Sequence, residues 1–288
     1  MRNDSVMAFL HNAARKYCID RADELAEIHK QSDTVEEKQE QGAGISLFVA
    51  ILLEVERAVP KDFDSEDEAR EYLLMAGKKA QVLGYHTEGS GDDRRVVSVA
   101  YNWTETERMA LESARADYIT YVTDLSLEKA ASVERVPYRH VLTGAKRFRV
   151  AWKLEERWGV SPREHYWYPL VNVEIPSDAD VLALQELWFY KEVGADRMQS
   201  ILLARGITRI WELQESIISP EYELDPRLCS FWGNETYWSS PELDWLVYVS
   251  HESSITFAGT WLVDAIKKCW PNWQRRIYAD YDYEPPPR

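Results

Sequence analysis

From Asp244 to Ser254 the chain reads Asp-Trp-Leu-Val-Tyr-Val-Ser-His-Glu-Ser-Ser, the tightest grouping of side chains with usable chemistry. A neutral imidazole at His251 can take a proton, and Asp244 or Glu252 can orient its ring. Ser253 or Ser254 then supplies a hydroxyl nucleophile, provided the base lies within about 2.6–3.2 Å of it. That constellation suits acyl or phosphoryl transfer, the work of a hydrolase or transferase. Strand geometry argues against it, because adjacent residues on an extended strand point to opposite faces. His251 and Glu252 can share a face only if the chain turns between them. A His-Glu-Ser-Ser turn bonded to its own backbone explains the same residues without catalysis. The order of preference is therefore a structural turn, then a binding site, then a catalytic one. As a binding site it would draw on His251 and Glu252, with Tyr237, Trp238 and Trp167 as aromatic anchors.

A second grouping is the local reversal of charge between Tyr138 and Arg163. Arg139, Lys146, Arg147, Arg149, Lys153, Arg157 and Arg163 face only Glu155 and Glu156 at its centre. Arg147, Arg149 and Lys153 are the candidates for holding a phosphate, a carboxylate-rich partner or RNA, with Trp152 or Trp158 stacking. The plainer reading, a solvated helix face salt-bridged to acidic neighbours, is preferred because the rest of the chain would repel nucleic acid.

Other chemistry finds no signature. The six histidines make no i, i+4 pair, and the three cysteines (Cys18, Cys229, Cys269) form no C-x-x-C, so no metal site is expected and free thiols are. No phosphate-cradling loop, nucleophile elbow or zinc helix occurs. Gly42-Ala-Gly44 lacks the third glycine and the preceding strand that a dinucleotide fingerprint requires. No cofactor is expected.

The elements that must position these residues divide by composition, since 11 of the 12 tryptophans follow residue 150. Apolar periodicity predicts helices over 6–30, over 45–58 opened by Gly42 and Gly44, and from the Ser65–Glu68 capping box to Gly84. A polar run at 31–41 reads as a loop or solvated helix end. Arg95–Tyr101 alternates as a strand, and Thr104 with Glu107 caps a long helix. A basic helix is expected between Thr143 and Gly159, with Phe148, Ala151, Trp152 and Trp158 inward. His165–Val173 reads as a strand, and Ser177–Val193 fits either a helix or a strand. Ala195–Arg205 reads as a helix, Ile207–Leu213 as a strand. Asp244–Ser250 and Ser254–Phe257 read as a hairpin turning at His251–Ser253, before a helix capped by Thr260. The expected organisation is a mainly helical region, 1–135, then an aromatic-rich α+β region, 136–279, and a mobile tail, 280–288; the first two can pack as one domain. The fold class is α+β: a helical N-terminal half followed by an aromatic-rich half with a small mixed or antiparallel sheet and flanking helices.

Charge bounds the partners. The 288 residues carry 34 Lys and Arg against 49 Asp and Glu, a net charge of −15, which draws basic partners and opposes nucleic acid and anionic membranes. Met1–Leu10 has no apolar core of a signal peptide. The most apolar run, Ile45–Leu53, falls well short of the roughly 20 residues a membrane span needs. These features predict a cytoplasmic, non-catalytic binding protein, of the immunity or antitoxin kind, that covers a basic protein partner with an acidic, aromatic-bearing surface. The alternatives are a hydrolase or transferase centred on Asp244, His251 and Glu252, and a scaffold subunit assembling through its N-terminal helices. The sequence leaves oligomeric state open.

Overall fold

Leu47, Phe48, Ile51, Leu52 and Val55 recur at helical spacing and are all buried, so their helix sits at the centre of the first of two units, Met1–Val136 and Pro137–Arg288. This computed structural model describes residues 3–88, 95–160, 176–215, 219–233 and 235–278. The first unit holds helices α1 (Asn3–Gln31), α2 (Val35–Val55), α3 (Glu66–Lys79), α4 (Glu105–Thr123) and α5 (Leu127–Ser132). An antiparallel hairpin of β1 (Leu83–Glu88) and β2 (Arg95–Ala100) lies between α3 and α4. One apolar core, including Leu10, Ala14, Phe48, Ile51, Leu73 and Tyr118, runs through the helices.

Two expectations for this unit change and one resolves. The polar run at 31–41 is mostly the solvated start of a helix rather than a loop, because Thr34 and Glu37 close a capping box and α2 starts at Val35. Gly42 and Gly44 therefore lie inside α2 rather than opening it, and a Cβ on Gly44 would stand 2.9 Å from Leu25 Cδ1 of α1. Gly84 falls in β1, not at the end of α3, which stops at Lys79.

The second unit is built on a seven-stranded sheet, antiparallel throughout, among the described residues. Its strands are β3 (Arg139–Val141), β4 (Val181–Gln185), β5 (Ile210–Gln214), β6 (Tyr222–Leu224), β7 (Thr236–Ser239), β8 (Leu246–Val249) and β9 (Ser254–Ala258), in the spatial order β3-β6-β5-β7-β8-β9-β4. Alternation along β7–β9 sends side chains to two apolar layers. Trp238, Trp245, Val247 and Phe257 meet α7 (Glu186–Glu192), α8 (Gly194–Ala204) and α9 (Thr260–Cys269) through Phe189, Met198, Leu202 and Ile266. On the other face Tyr237, Leu246, Tyr248 and Ala258 meet α6 (Gly144–Trp158). With both faces covered, every residue of β7, β8 and β9 is buried. The chain is thus α+β, with helices in the N-terminal half and the sheet in the C-terminal half.

The helix α6 buries Trp158 as expected but otherwise turns a different face inward. Val150, Leu154 and Trp158, spaced by four, are buried, whereas Phe148 and Trp152 are 62 % and 59 % exposed. The ambiguous segment Ser177–Val193 is a strand followed directly by a helix, β4 then α7. Gly259, rather than Thr260, occupies the N-cap of α9. The expected strand at 165–173, the Gly89–Asp93 turn and the tail lie outside the described residues. No helix among those described is long and apolar enough to cross a membrane.

Candidate functional site

The hairpin between β8 and β9 closes over only three residues, His251, Glu252 and Ser253, with Ser250 N–H donating to Ser254 O at 3.0 Å. Ser253 takes a left-handed conformation (φ +65°), the position that three-residue hairpin loops require after their first turn. This bend removes the alternation that would have parted His251 from Glu252. His251 Nε2 lies 2.7 Å from Glu252 Oε1, and Nδ1 lies 2.6 Å from Glu235 Oε1. Glu235 reaches the ring from the start of β7, itself held at φ +57°. The imidazole is 60 % exposed, bracketed by two carboxylates. Ionised carboxylates only accept, so a doubly protonated ring satisfies both contacts and a neutral ring satisfies one.

A third carboxylate stands behind this pair. Glu215, just past β5, donates its N–H to Glu235 O at 3.0 Å, and its Oε1 accepts from both Tyr237 and Tyr248 hydroxyls at 2.8 Å. Burial pushes the Glu215 carboxyl up, opposed by the two tyrosine bonds, and Glu235 pushes the same way as burial. Burial likewise drives the Tyr248 hydroxyl far above its ordinary range, reinforced by Glu215, Glu235 and Glu252. Glu252 Oε2 is shut off from solvent with no hydrogen-bond partner. One end of the sheet therefore gathers Glu215, Glu235 and Glu252 around a single imidazole. Among the described residues no group of His, Cys, Asp and Glu is arranged to hold a metal ion.

The catalytic constellation does not assemble. Asp244 precedes β8 and His251 follows it, so about 20 Å of strand separates them, and Asp244 cannot orient the ring. Ser254 is buried and its hydroxyl pairs with that of Ser250 at 2.8 Å, while no hydrogen bond joins Ser253 to His251. Both nitrogens face carboxylates and no hydroxyl bonds to the ring among the described residues, so no nucleophile stands ready for it to activate. The sequence did not signal Glu235, which reaches His251 only through strand pairing from 16 positions upstream, or Glu215 behind it, 36 positions upstream.

The expected binding anchors fare unevenly. Tyr237 and Trp238 are buried in the two layers, and Trp238 Nε1 donates to Glu212 Oε2 at 2.8 Å. Neither offers a ring to a partner, although the Tyr237 hydroxyl serves Glu215. Trp167 lies outside the described residues. Of the anion-binding candidates, Arg147 is spent on Glu221, which is 3 % exposed, through bonds of 2.5 and 3.1 Å. Lys153 rests over the Trp211 ring at 5.9 Å, and Arg149 is exposed. Trp158 is buried and cannot stack on a base. The preferred reading of that stretch, a salt-bridged helix face, fits Lys146 with Glu223 and Arg157 with Asp178 as well.

The opposite end of the same strands carries a cleft of about 470 Å³ that the sequence did not signal. Its wall includes Arg205, Arg209, Glu223, Glu242 and Asp244, the last being the residue expected beside His251. No family model, curated protein or solved structure matches the chain.

Proposed function

We propose that this chain is a non-catalytic binding protein that meets a basic protein partner at the His251 end of the sheet. The observation that carries the reading is the closure of both imidazole nitrogens by Glu235 and Glu252, at 2.6 and 2.7 Å. That arrangement leaves the ring without a hydroxyl to activate while presenting carboxylates at a surface. The Glu235 and Glu252 side chains, 36 % and 25 % exposed, keep carboxylate surface that Lys or Arg side chains would meet. A net charge of −15 steers such a partner toward the protein over distances beyond direct contact. A cytoplasmic setting and an immunity- or antitoxin-like role, in which the acidic surface neutralises a basic toxin, fit these features. Tyr237 and Trp238 drop out of this surface because they are core, leaving His251, Glu235 and Glu252 as its residues.

The test is affinity capture from cells of the native source, with the partner identified by mass spectrometry. A stoichiometric basic protein is expected on the wild-type bait and not on a Glu235→Gln/Glu252→Gln bait. Recovery of no stoichiometric protein across growth conditions, or equal recovery on both baits, would refute the reading.

A further inference from the structure

The cleft at the far end of the sheet is walled by unlike charges that do not meet one another. Arg209, leading into β5, lays its guanidinium over the Tyr138 ring at 3.6 Å, and Arg205, at the end of α8, lies over Trp261 at 5.2 Å. Facing the same space are Glu242 and Asp244, on the turn between β7 and β8. That turn is tight: Leu243 N–H donates to Ser240 O at 3.0 Å, with Leu243 at φ +56°. Gly259 fixes its far side, since a Cβ there would come within 2.3 Å of Asp244 O. The fifth charged group, Glu223, is already occupied by Lys146 at 2.6 Å and the Tyr138 hydroxyl at 3.3 Å. Arg205, Arg209, Glu242 and Asp244 form no ion pair among the described residues.

Two cations and two anions held in one cleft without neutralising each other form complementary halves of a receptor for a dipolar molecule. The aromatic rings beneath both guanidiniums, and for Arg209 a bond to Thr208 O at 3.0 Å, hold them in place and reduce the freedom lost when an anion arrives. A purely anionic ligand would be opposed by Glu242 and Asp244, and a purely cationic one by the arginines.

We propose that this cleft binds a small zwitterion of the peptide type, with its carboxylate against Arg205 and Arg209 and its ammonium against Glu242 and Asp244. Its volume, about 470 Å³, lies in the range of small-molecule sites and admits a short peptide. The site is separate from the His251 end, at the other ends of β7 and β8, and does not depend on the function proposed above.

Titration of the full chain with four triglycines, followed by amide NMR, tests it: the free peptide, the N-acetyl form, the C-terminal amide and the doubly blocked form. Free triglycine is expected to give saturable shifts at Gly206, Thr208, Arg209 and Asp244, with none at His251 or Glu252. Blocking either end should weaken binding by about tenfold or more, a difference near 1.4 kcal/mol. Arg209→Gln and Asp244→Asn should each do the same to the free peptide while leaving the rest of the spectrum in place. Absence of saturable shifts, equal binding of a singly blocked form, or unchanged binding in both variants would overturn the proposal.

Discussion

Trp238 donates its indole N–H to Glu212 Oε2 at 2.8 Å, placing a carboxylate inside the layer between the sheet and α7–α9. Burial pushes that carboxyl up, with the Trp238 bond and then Arg139 pulling it back. A carboxyl raised in the folded state holds its proton more tightly than in the unfolded chain. Its contribution is therefore complete below the unfolded value and is lost as pH rises from there through the folded one. Glu212→Gln keeps an acceptor for the indole and removes the titration. The variant should be more stable than wild type to urea at pH 7, with the advantage shrinking as the pH falls to about 4. An advantage that grows toward acid, or a loss at pH 7, would mean the buried charge is favourable where it stands. Arg147 makes a related point. Its bond to nearly buried Glu221 turns an apparent anion receptor into part of the scaffold, and nothing local in Lys-Arg-Phe-Arg announces the carboxylate 74 positions away.

At the level of elements, local signals were readable and distant ones were not. The Thr104–Glu107 capping box starts α4 as its spacing predicts, because both hydrogen bonds close within one turn. The equivalent Thr34–Glu37 box was present in the sequence too. Its signal is weaker because the first turns of α2 are exposed and show no apolar period. The inward face of α6 follows Val150, Leu154 and Trp158, whose spacing one sheet face can cover, so of the expected residues Trp158 is buried while the bulky Phe148 and Trp152 stay exposed. The turn at His251–Ser253 was legible; its partners Glu235 and Glu215 were not, since strand order β5-β7-β8 sets them beside it. Close helix contact supplies a test here. A Cβ on Gly77 of α3 would lie 2.5 Å from Cδ1 and 2.8 Å from Cε1 of buried Tyr118 on α4. Alanine at an ordinary helical site would gain roughly 0.5–1 kcal/mol over glycine. Gly77→Ala should instead cost about 1–3 kcal/mol, the usual penalty of overpacking. A stabilised variant in equilibrium unfolding would show that α3 and α4 stand further apart.

Across the whole molecule, acidity and the His251 cluster point the same way. The surplus of carboxylates is spread along the chain, yet the β8–β9 hairpin brings two of them onto one imidazole, with Glu215 held behind by Tyr237 and Tyr248. Long-range charge speeds encounter with a basic partner, whereas short-range carboxylate contacts hold it, so the two respond differently to salt and to substitution. Exposed charges are screened beyond about 8 Å at physiological ionic strength. A basic partner of the kind proposed should therefore bind more weakly as salt is raised, chiefly through slower association. Removing one contacting carboxylate should raise dissociation instead. Titration calorimetry of that partner against wild type and Glu252→Gln, repeated over a salt series, measures the claim directly. The expected result is an affinity that falls with salt and drops at least about tenfold in the variant. Equal affinity of the two proteins at every salt concentration would place the interface elsewhere and contradict the account.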